Sequence, residues 1–148
     1  MKILTGQSIL DQVAYGPLRV YRRQPFQLDF LSQLPSGEEV RRFQSAQHRA
    51  VLQLAELYDQ ASLVVGAQAA SIFAIHAMLL EDTSFVDSIL SIIQTQYTTA
   101  EYAVQVAGTS YSAAFAAMEN PYMAARGADL RDISNRVIRL LLGQKTPD

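Results

Sequence analysis

The sequence predicts an all-α protein: an antiparallel helical hairpin bundle of four to five helices, preceded by one orphan β-strand. From Ser36 onward, apolar residues recur every three or four positions in successive segments, which is the spacing of amphipathic helices. Capping residues stand between these segments. A chain of 148 residues with 49% hydrophobic content is long enough for one domain with a core and too short for two ordinary ones.

The first 34 residues lack helical spacing. A Gly16-Pro17 turn signal is followed by alternating apolar and basic residues up to position 22, which predicts one half-buried strand. A lone strand cannot satisfy its own backbone groups, so its neighbours are expected in a longer parent protein or in another copy of the chain. Residues 24–35, which contain Pro25 and Pro35, are expected to form a connection.

The first two predicted helices differ in how their apolar residues are arranged. Ser36 and Glu39 have the spacing of a capping box, and an apolar stripe continues from there to about Gly66. Its length favours an antiparallel partner helix. The next helix, to about Leu80, is apolar on more than one face, whereas an ordinary surface helix has a single stripe. It is therefore either buried on every side or presents an apolar face to a partner.

Three further helices are predicted after Leu80. Asp82 is expected to cap a short helix that carries Phe85 and several isoleucines. Thr98 and Glu101 repeat the capping-box spacing and open a fourth helix, whose stripe of small residues would let its neighbour approach closely. Asn120-Pro121 ends that helix.

A fifth helix is expected from about Tyr122. It stops at Gly143, a residue suited to a left-handed C-cap.

Composition and charge exclude several functional classes. The net charge of −2 argues against nucleic acid as the main partner. Positions 51–120 carry seven acidic and no basic residues, which predicts an acidic surface suited to a cationic partner. Cysteine is absent, so disulfides and thiolate metal sites are excluded. With no signal-peptide pattern and no apolar run of about 20 residues, we expect a cytoplasmic protein without membrane insertion.

The residues alone do not indicate an autonomous active site. The two histidines, His48 and His76, lack His or Cys neighbours at ligand spacing, which argues against zinc. All seven glycines are isolated, which removes the usual phosphate-binding loops. Glu81 and Asp82 are adjacent carboxylates, but neighbouring residues of a helix do not face each other.

Two stretches carry a resemblance to a known family. Residues 71–82 contain Ile-Phe-x-x-His-x-Met-Leu-Leu-x-Asp, and residues 126–139 contain Arg-Gly-Ala-Asp-Leu-Arg-Asp-Ile. Together they resemble the N-terminal region of enzyme I, the phosphoenolpyruvate-protein phosphotransferase of the bacterial sugar phosphotransferase system (PTS). The similarity covers about residues 38–143 and needs no gap between the two motifs. Residues 8–16 depart from the family, which there has Ala-Ser-Pro-Gly-Ile-Ala-x-Gly.

The resemblance implies a division of labour. In this family a helical subdomain, inserted into a phosphohistidine α/β domain, docks the phosphocarrier protein HPr so that a histidine of enzyme I can pass it a phosphoryl group. The Gly-Gly-x-x-Ser-His stretch that holds this histidine is absent here, as is the phosphoenolpyruvate-binding barrel. We therefore expect a fragment that is inactive by itself; Mg²⁺ and homodimerisation would belong to missing domains of the parent phosphotransferase.

The resemblance also divides the chain and locates the docking surface. Residues 1–34 correspond to the strand and connection of the missing α/β domain, residues 35–143 to the HPr-docking subdomain, and residues 144–148 to a linker. The partner-binding residues implied are Ile72, His76, Met78, Leu79, Asp82, Phe85, Phe115, Met123 and Arg126.

Packing in the bundle is the alternative role for several of these residues. It is an equal alternative for Ile72, Phe115 and Met123, whereas docking is favoured for Leu79 and Phe85 because they flank a helix junction. His76 is expected to be a packed, hydrogen-bonded histidine rather than a proton carrier. Arg126 could instead form a surface pair with Asp129 or Asp132, typically worth less than about 1 kcal/mol.

The acidic rim of the family's docking surface is missing from this chain. Its positions are occupied by Ala67, Gln68, Ala74, Thr83 and Ser84. Rim charges mainly set association rate and salt dependence, whereas burial of an apolar anchor contributes roughly 1.5 to 3 kcal/mol. Docking is thus expected to persist, weakened and less salt-sensitive. The alternative is a non-catalytic helical interaction or oligomerisation module that has kept the bundle and lost the partner; a stand-alone enzyme has the least support.

Overall fold

The computed structural model describes residues 26–143, and these residues form five helices. The helices are α1 (Ser36–Val65), α2 (Ala67–Leu80), α3 (Thr83–Gln96), α4 (Ala100–Ala116) and α5 (Pro121–Leu141). This confirms the predicted all-α class. The predicted strand and the linker of residues 144–148 lie outside the described residues.

The helices α1 and α2 form the first hairpin. The chain reverses at Gly66, whose φ of +92° is readily available only to glycine. The end of α2 then returns to the first half of α1, where the Gln47 side-chain amide donates to the carbonyl of Leu80 at 2.8 Å. Because α2 follows α1 over its whole length, one side of this apolar helix is covered within the chain.

The second hairpin, formed by α4 and α5, depends on a close approach of the two backbones. A Cβ atom added at Gly127 of α5 would lie 2.7 Å from the carbonyl oxygen of Ser112 in α4. The hydroxyl of Ser112 donates to the carbonyl of Gly127 at 2.6 Å. Small residues at this contact therefore bring the helices together, but they do not belong to the predicted stripe of α4, whose residues Ser110, Ala113 and Ala117 are exposed.

The core lies between the two hairpins and α3. It is built from the apolar stripes of α1, α3, α4 and α5, with Phe43, Leu54, Ile89, Ile93 and Ile133 among its largest buried members. Each fully buried side chain of this size contributes roughly 1.5 to 3 kcal/mol. Within residues 26–143 no single helix is long and apolar enough to cross a bilayer; only α2 and α3 together reach the required length and composition, and they are bent by 47° at their junction.

Two helices begin with an aspartate or asparagine as the N-cap residue: α3 with Asp82 and α5 with Asn120. The predicted cap at Asp82 is confirmed, because its carboxylate accepts from the amide of Phe85 at 3.0 Å. Asn120 accepts from the amide of Tyr122 at 2.8 Å and is thus the cap of α5, with Pro121 in the favourable first position. α4 has already ended at Ala116.

The two predicted capping boxes are wrong. Pro35 precedes α1 without a side-chain capping bond, and Thr99 rather than Thr98 caps α4. The reason is tertiary. Glu39 and Glu101, the expected box carboxylates, are both held by Arg42 instead of the cap amides, with Nη1 at 2.7 and 3.0 Å from their Oε1 atoms.

These two glutamates and Arg42 form what we call the base cluster. Glu39 also accepts from the backbone amide of Ala100 at 3.0 Å and from the Ser32 hydroxyl. The Nη2 atom of Arg42 donates to the carbonyl of Leu141 at 3.2 Å. The cluster therefore joins the segment before α1, through Ser32, to α1, α4 and the end of α5.

Candidate functional site

The outward side of α2 contains no Asp, Glu, Lys or Arg, and apart from Gln68 and Ser71 its exposed residues are apolar. Met78 keeps 65% of its surface exposed, and Ile72 and Leu79 are half-buried. Of the two arrangements that the sequence left open, the structure shows the one in which α2 keeps apolar surface exposed.

The residues implied by the resemblance fall into three groups. Met78 and Asp82 are exposed. Six others are intermediate in exposure: Ile72, His76, Leu79, Phe115, Met123 and Arg126. Phe85 is only 2% exposed and belongs to the core. The expectation that Phe85 is a docking anchor is therefore wrong, since almost no area of its side chain remains to be buried by a partner.

Tyr111 explains why Phe85 is buried. Its ring packs edge-to-face on Phe85 with centroids 5.5 Å apart, and its hydroxyl donates to the carbonyl of Ser84 at 3.1 Å. Tyr111 thereby closes the start of α3 against α4. The sequence offered no signal for this role, because the two partners are separated by 27 positions.

His76 is joined to α5 across the surface of the bundle. Its Nε2 atom lies 3.0 Å from Oδ1 of Asp129, and both side chains are only 11% exposed. The prediction that His76 is a packed histidine with a hydrogen-bond partner is confirmed. The carboxylate partner was missed because it lies 53 positions away, so helical spacing cannot reveal it.

Arg126 shares the same carboxylate. Its Nε atom lies 3.1 Å from Oδ2 of Asp129, and its guanidinium stacks 4.6 Å from the centroid of the exposed Tyr122 ring, a cation–π contact. The side chain of Arg126 is 13% exposed. The expected surface pair is therefore replaced by a largely buried pair with Asp129 rather than Asp132.

Within residues 26–143 no group of three His, Cys, Asp or Glu side chains could hold a metal ion. A shallow cleft of about 330 Å³ lies beside the base cluster. Its Arg41 and Arg42 are already paired with Glu38 and Glu39. Beside α2 lie one cationic side chain, Arg126, and the carboxylate of Asp129.

Comparison with known proteins gives a family match and named relatives. The family model described as PEP-utilising enzyme, N-terminal, matches residues 5–126. The phosphoenolpyruvate-protein phosphotransferase of Staphylococcus carnosus is 29% identical over 147 residues, which are 99% of this chain and 26% of that protein. The phosphoenolpyruvate-protein phosphotransferase of Bacillus sp. (strain S) is 37% identical over 105 residues, which are 71% of this chain and 18% of that protein.

Solved structures share the fold. A solution structure of Enzyme I (nEIt) superposes with a TM-score of 0.74 at 25% identity, over 82% of this chain and 49% of the other. The N-terminal domain of Enzyme 1 – Nitrogen superposes with a TM-score of 0.72 at 23% identity, over 82% and 51%. The chain thus spans about a quarter of the length of the staphylococcal relative and about half of these structures.

Proposed function

We propose a function from the premise that this chain belongs to the PEP-utilising enzyme, N-terminal, family: its residues 35–143 form the docking module for the phosphocarrier protein HPr. Relatives named phosphoenolpyruvate-protein phosphotransferase match nearly the whole chain, and the solved structures that share its fold are N-terminal parts of enzyme I. These structures superpose on 82% of this chain.

The observation that carries the proposal is the uncharged apolar side of α2. Met78 is mostly exposed there, with half-buried Ile72 and Leu79 on the same helix. Exposed apolar area of this kind is typical of a protein interface. Positions 51–120 carry only acidic charges, which favours a cationic partner such as HPr over an acidic one.

Phosphoryl transfer itself is assigned to the longer parent protein. We infer that the parent is a cytoplasmic phosphotransferase that phosphorylates HPr in sugar uptake, and that this chain contributes partner recognition. The chain covers only 26% of its staphylococcal relative, and neither of its histidines lies in a Gly-Gly-x-x-Ser-His stretch. By itself the chain is expected to transfer no phosphate from phosphoenolpyruvate to HPr.

The test is a titration of the isotope-labelled 148-residue chain with unphosphorylated HPr from the same organism, followed by backbone amide shifts at low and moderate salt. Shifts are expected on the outward side of α2, at the α2–α3 junction and around Arg126, with a weak dependence on salt because α2 carries no charge. Absence of shifts at millimolar HPr would sink the proposal. A steep salt dependence would contradict an apolar interface.

A pair of matched variants locates the surface. Met78→Ala removes an exposed side chain from α2 and should weaken HPr binding about tenfold, the effect of losing roughly 1.4 kcal/mol at an interface. Leu52→Ala removes a comparably exposed apolar side chain from α1 and should leave the affinity unchanged. Equal losses in both variants would argue that binding is not localised on α2.

The second candidate is an oligomerisation module, and a separate observation favours it. Leu63 and Val64, at the end of α1, are 89% and 82% exposed, and they would be covered if two copies packed through this end. Sedimentation equilibrium over a wide concentration range distinguishes the candidates. A monomer that binds HPr supports the first, whereas a dimer that is lost in Val64→Ser and does not bind HPr supports the second.

A further inference from the structure

We propose that Asp129 is the positioning residue of the docking surface: its carboxylate holds His76 of α2 and Arg126 of α5 in one orientation before a partner arrives. This inference rests on the proposed function and goes beyond it, because Asp129 is outside the set of residues that the family resemblance implies. It assigns a role to a side chain that a partner would barely touch.

The first step of the argument is that Asp129 joins two separate elements. Its Oδ1 atom lies 3.0 Å from Nε2 of His76, and its Oδ2 atom lies 3.1 Å from Nε of Arg126. Since His76 belongs to the first hairpin and Arg126 to the second, one carboxylate sets how two faces of the surface lie relative to each other. A group fixed from two sides loses less freedom when a partner binds, and preorganisation of this kind improves affinity.

The second step is that the cluster is buried but not satisfied. The side chains of His76, Asp129 and Arg126 are only 11 to 13% exposed. Nevertheless, among the described residues, Nη1 of Arg126 has no hydrogen-bond partner, and its Nε faces Oδ2 of Asp129 in an ion pair whose geometry is not that of a hydrogen bond. Buried polar groups are normally hydrogen-bonded. An arginine that is held in place with unused donors is suited to donate to a carbonyl or carboxylate of a docking partner.

The third step is chemical. A carboxylate can accept from both neighbours at once, whereas an asparagine can accept from only one of them and turns its amide donors toward the other. Asp129→Asn, which is isosteric, should therefore keep one of the two contacts, and Asp129→Ala should lose both. This graded series separates positioning from simple space filling.

The experiment measures HPr affinity and side-chain signals in the 148-residue chain. In the unsubstituted chain the Nε2 proton of His76, which is hydrogen-bonded to Asp129, and the Nε proton of Arg126, which is buried in the ion pair, should exchange slowly with water. Both should exchange rapidly in Asp129→Ala, with an affinity loss of about tenfold, as expected for loss of hydrogen bonds to charged groups. Asp129→Asn should be intermediate. Asp132→Asn removes the same charge from an exposed position of α5 and should change neither readout.

A structural role alone is tested by two further variants. Ile93→Val lowers stability by removing one methyl group from the core. It changes no charged or polar group and should leave the affinity unchanged. If affinity falls with stability in this variant as much as in Asp129→Asn, the positioning role is overturned. Arg126→Ala combined with Asp129→Ala should weaken binding by less than the product of the single effects, because Asp129 acts through Arg126; multiplicative losses would also overturn the inference.

Failure of the inference and failure of the proposed function give different results. If the unsubstituted 148-residue chain does not bind HPr, the proposed function fails, while the exchange of the His76 and Arg126 protons still reports whether Asp129 holds them. If the unsubstituted chain binds HPr and both Asp129 variants bind equally well, the positioning role alone is wrong.

Discussion

Glu39 and Asp129 are both buried carboxylates that pair with an arginine, yet their surroundings differ. Glu39 accepts from a guanidinium, a hydroxyl and a backbone amide, so the base cluster is saturated with hydrogen bonds. Asp129 lies beside the outward side of α2, and its pair with Arg126 leaves donors on the arginine unused. One cluster therefore closes the fold, and the other leaves hydrogen-bonding capacity beside an apolar surface.

This difference separates stability from recognition within one small bundle. A saturated buried network is costly to break because each lost partner leaves a charge without compensation. An unsaturated one contributes less to folding but can be completed by another molecule. We therefore expect substitutions in the base cluster to lower the free energy of unfolding with little effect on HPr affinity, and substitutions of Asp129 itself to lower HPr affinity more than stability.

The largest expected effect is from Glu39→Ala. It leaves the amide of Ala100 without its acceptor and Arg42 with Glu101 and the Leu141 carbonyl alone, so the free energy of unfolding should fall by about 2 to 3 kcal/mol, measured by urea denaturation. The control is Glu38→Ala, because Glu38 forms an exposed pair with Arg41 and should cost less than about 1 kcal/mol. Equal losses would contradict a special role for the base cluster.

Gly127→Ala is expected to affect both stability and the docking surface. The new methyl group would lie 2.7 Å from a backbone oxygen of α4, so the first half of α5 must shift, at a cost of about 1 to 3 kcal/mol. Because the neighbouring Arg126 shifts with it, HPr affinity should fall as well. Gly37→Ala, which meets no atom within 4 Å, is the control and should leave both unchanged or stabilise slightly. Wild-type behaviour of Gly127→Ala would refute the close approach.

Acidification should weaken the base cluster through Glu39. Burial raises the pKa of Glu39, but hydrogen bonds from Ser32, Ala100 and Arg42, together with the charge of Arg42, outweigh it and hold the pKa below the ordinary value of 4.5. Since the folded-state pKa is the lower one, the stabilisation is fully present above pH 4.5 and is lost as the pH falls through the folded-state pKa.

The measurement is the difference in urea midpoint between the unsubstituted chain and Glu39→Gln, whose glutamine side chain does not titrate. This difference should be constant near neutrality and shrink at acid pH. A difference that grows on acidification would mean that burial outweighs the hydrogen bonds.

The smallest expected effects concern Asp82, which caps α3 and is exposed. Asp82→Ala should cost about 1 kcal/mol of stability, whereas Asp82→Asn should cost almost nothing because asparagine is an equally good cap. If its charge takes part in docking, both variants should weaken HPr binding by the same small factor. An affinity loss confined to Asp82→Ala would show that the residue acts only through the helix junction.

The helices and the apolar side of α2 were predictable from local patterns. The spacing around Phe43 and Leu54, the cap at Asp82 and the glycine at position 66 act within a few residues of chain, so their consequences can be read from the sequence. The absence of charge along α2 was predictable in the same way, but the sequence left open whether this helix is buried on every side or keeps an apolar face exposed.

The wrong expectations have a common cause. Glu39 and Glu101 have capping spacing, but Glu39 accepts from the distant amide of Ala100, and Glu101 accepts from Arg42 of α1. Phe85 has the composition of a docking anchor, but Tyr111 covers it. In each case a contact between distant positions overrides a local preference, and local preference is worth only about 1 kcal/mol per residue.

By itself the sequence determined the helical class, the helix limits to within a few residues and the lack of charge along α2, because periodicity and capping depend on neighbours in the chain. Only the tertiary structure decided which of the proposed docking residues remain exposed and which carboxylate contacts His76 and Arg126. Burial and ion pairing depend on which helices meet, and residues 76 and 129 meet only because two hairpins pack side by side.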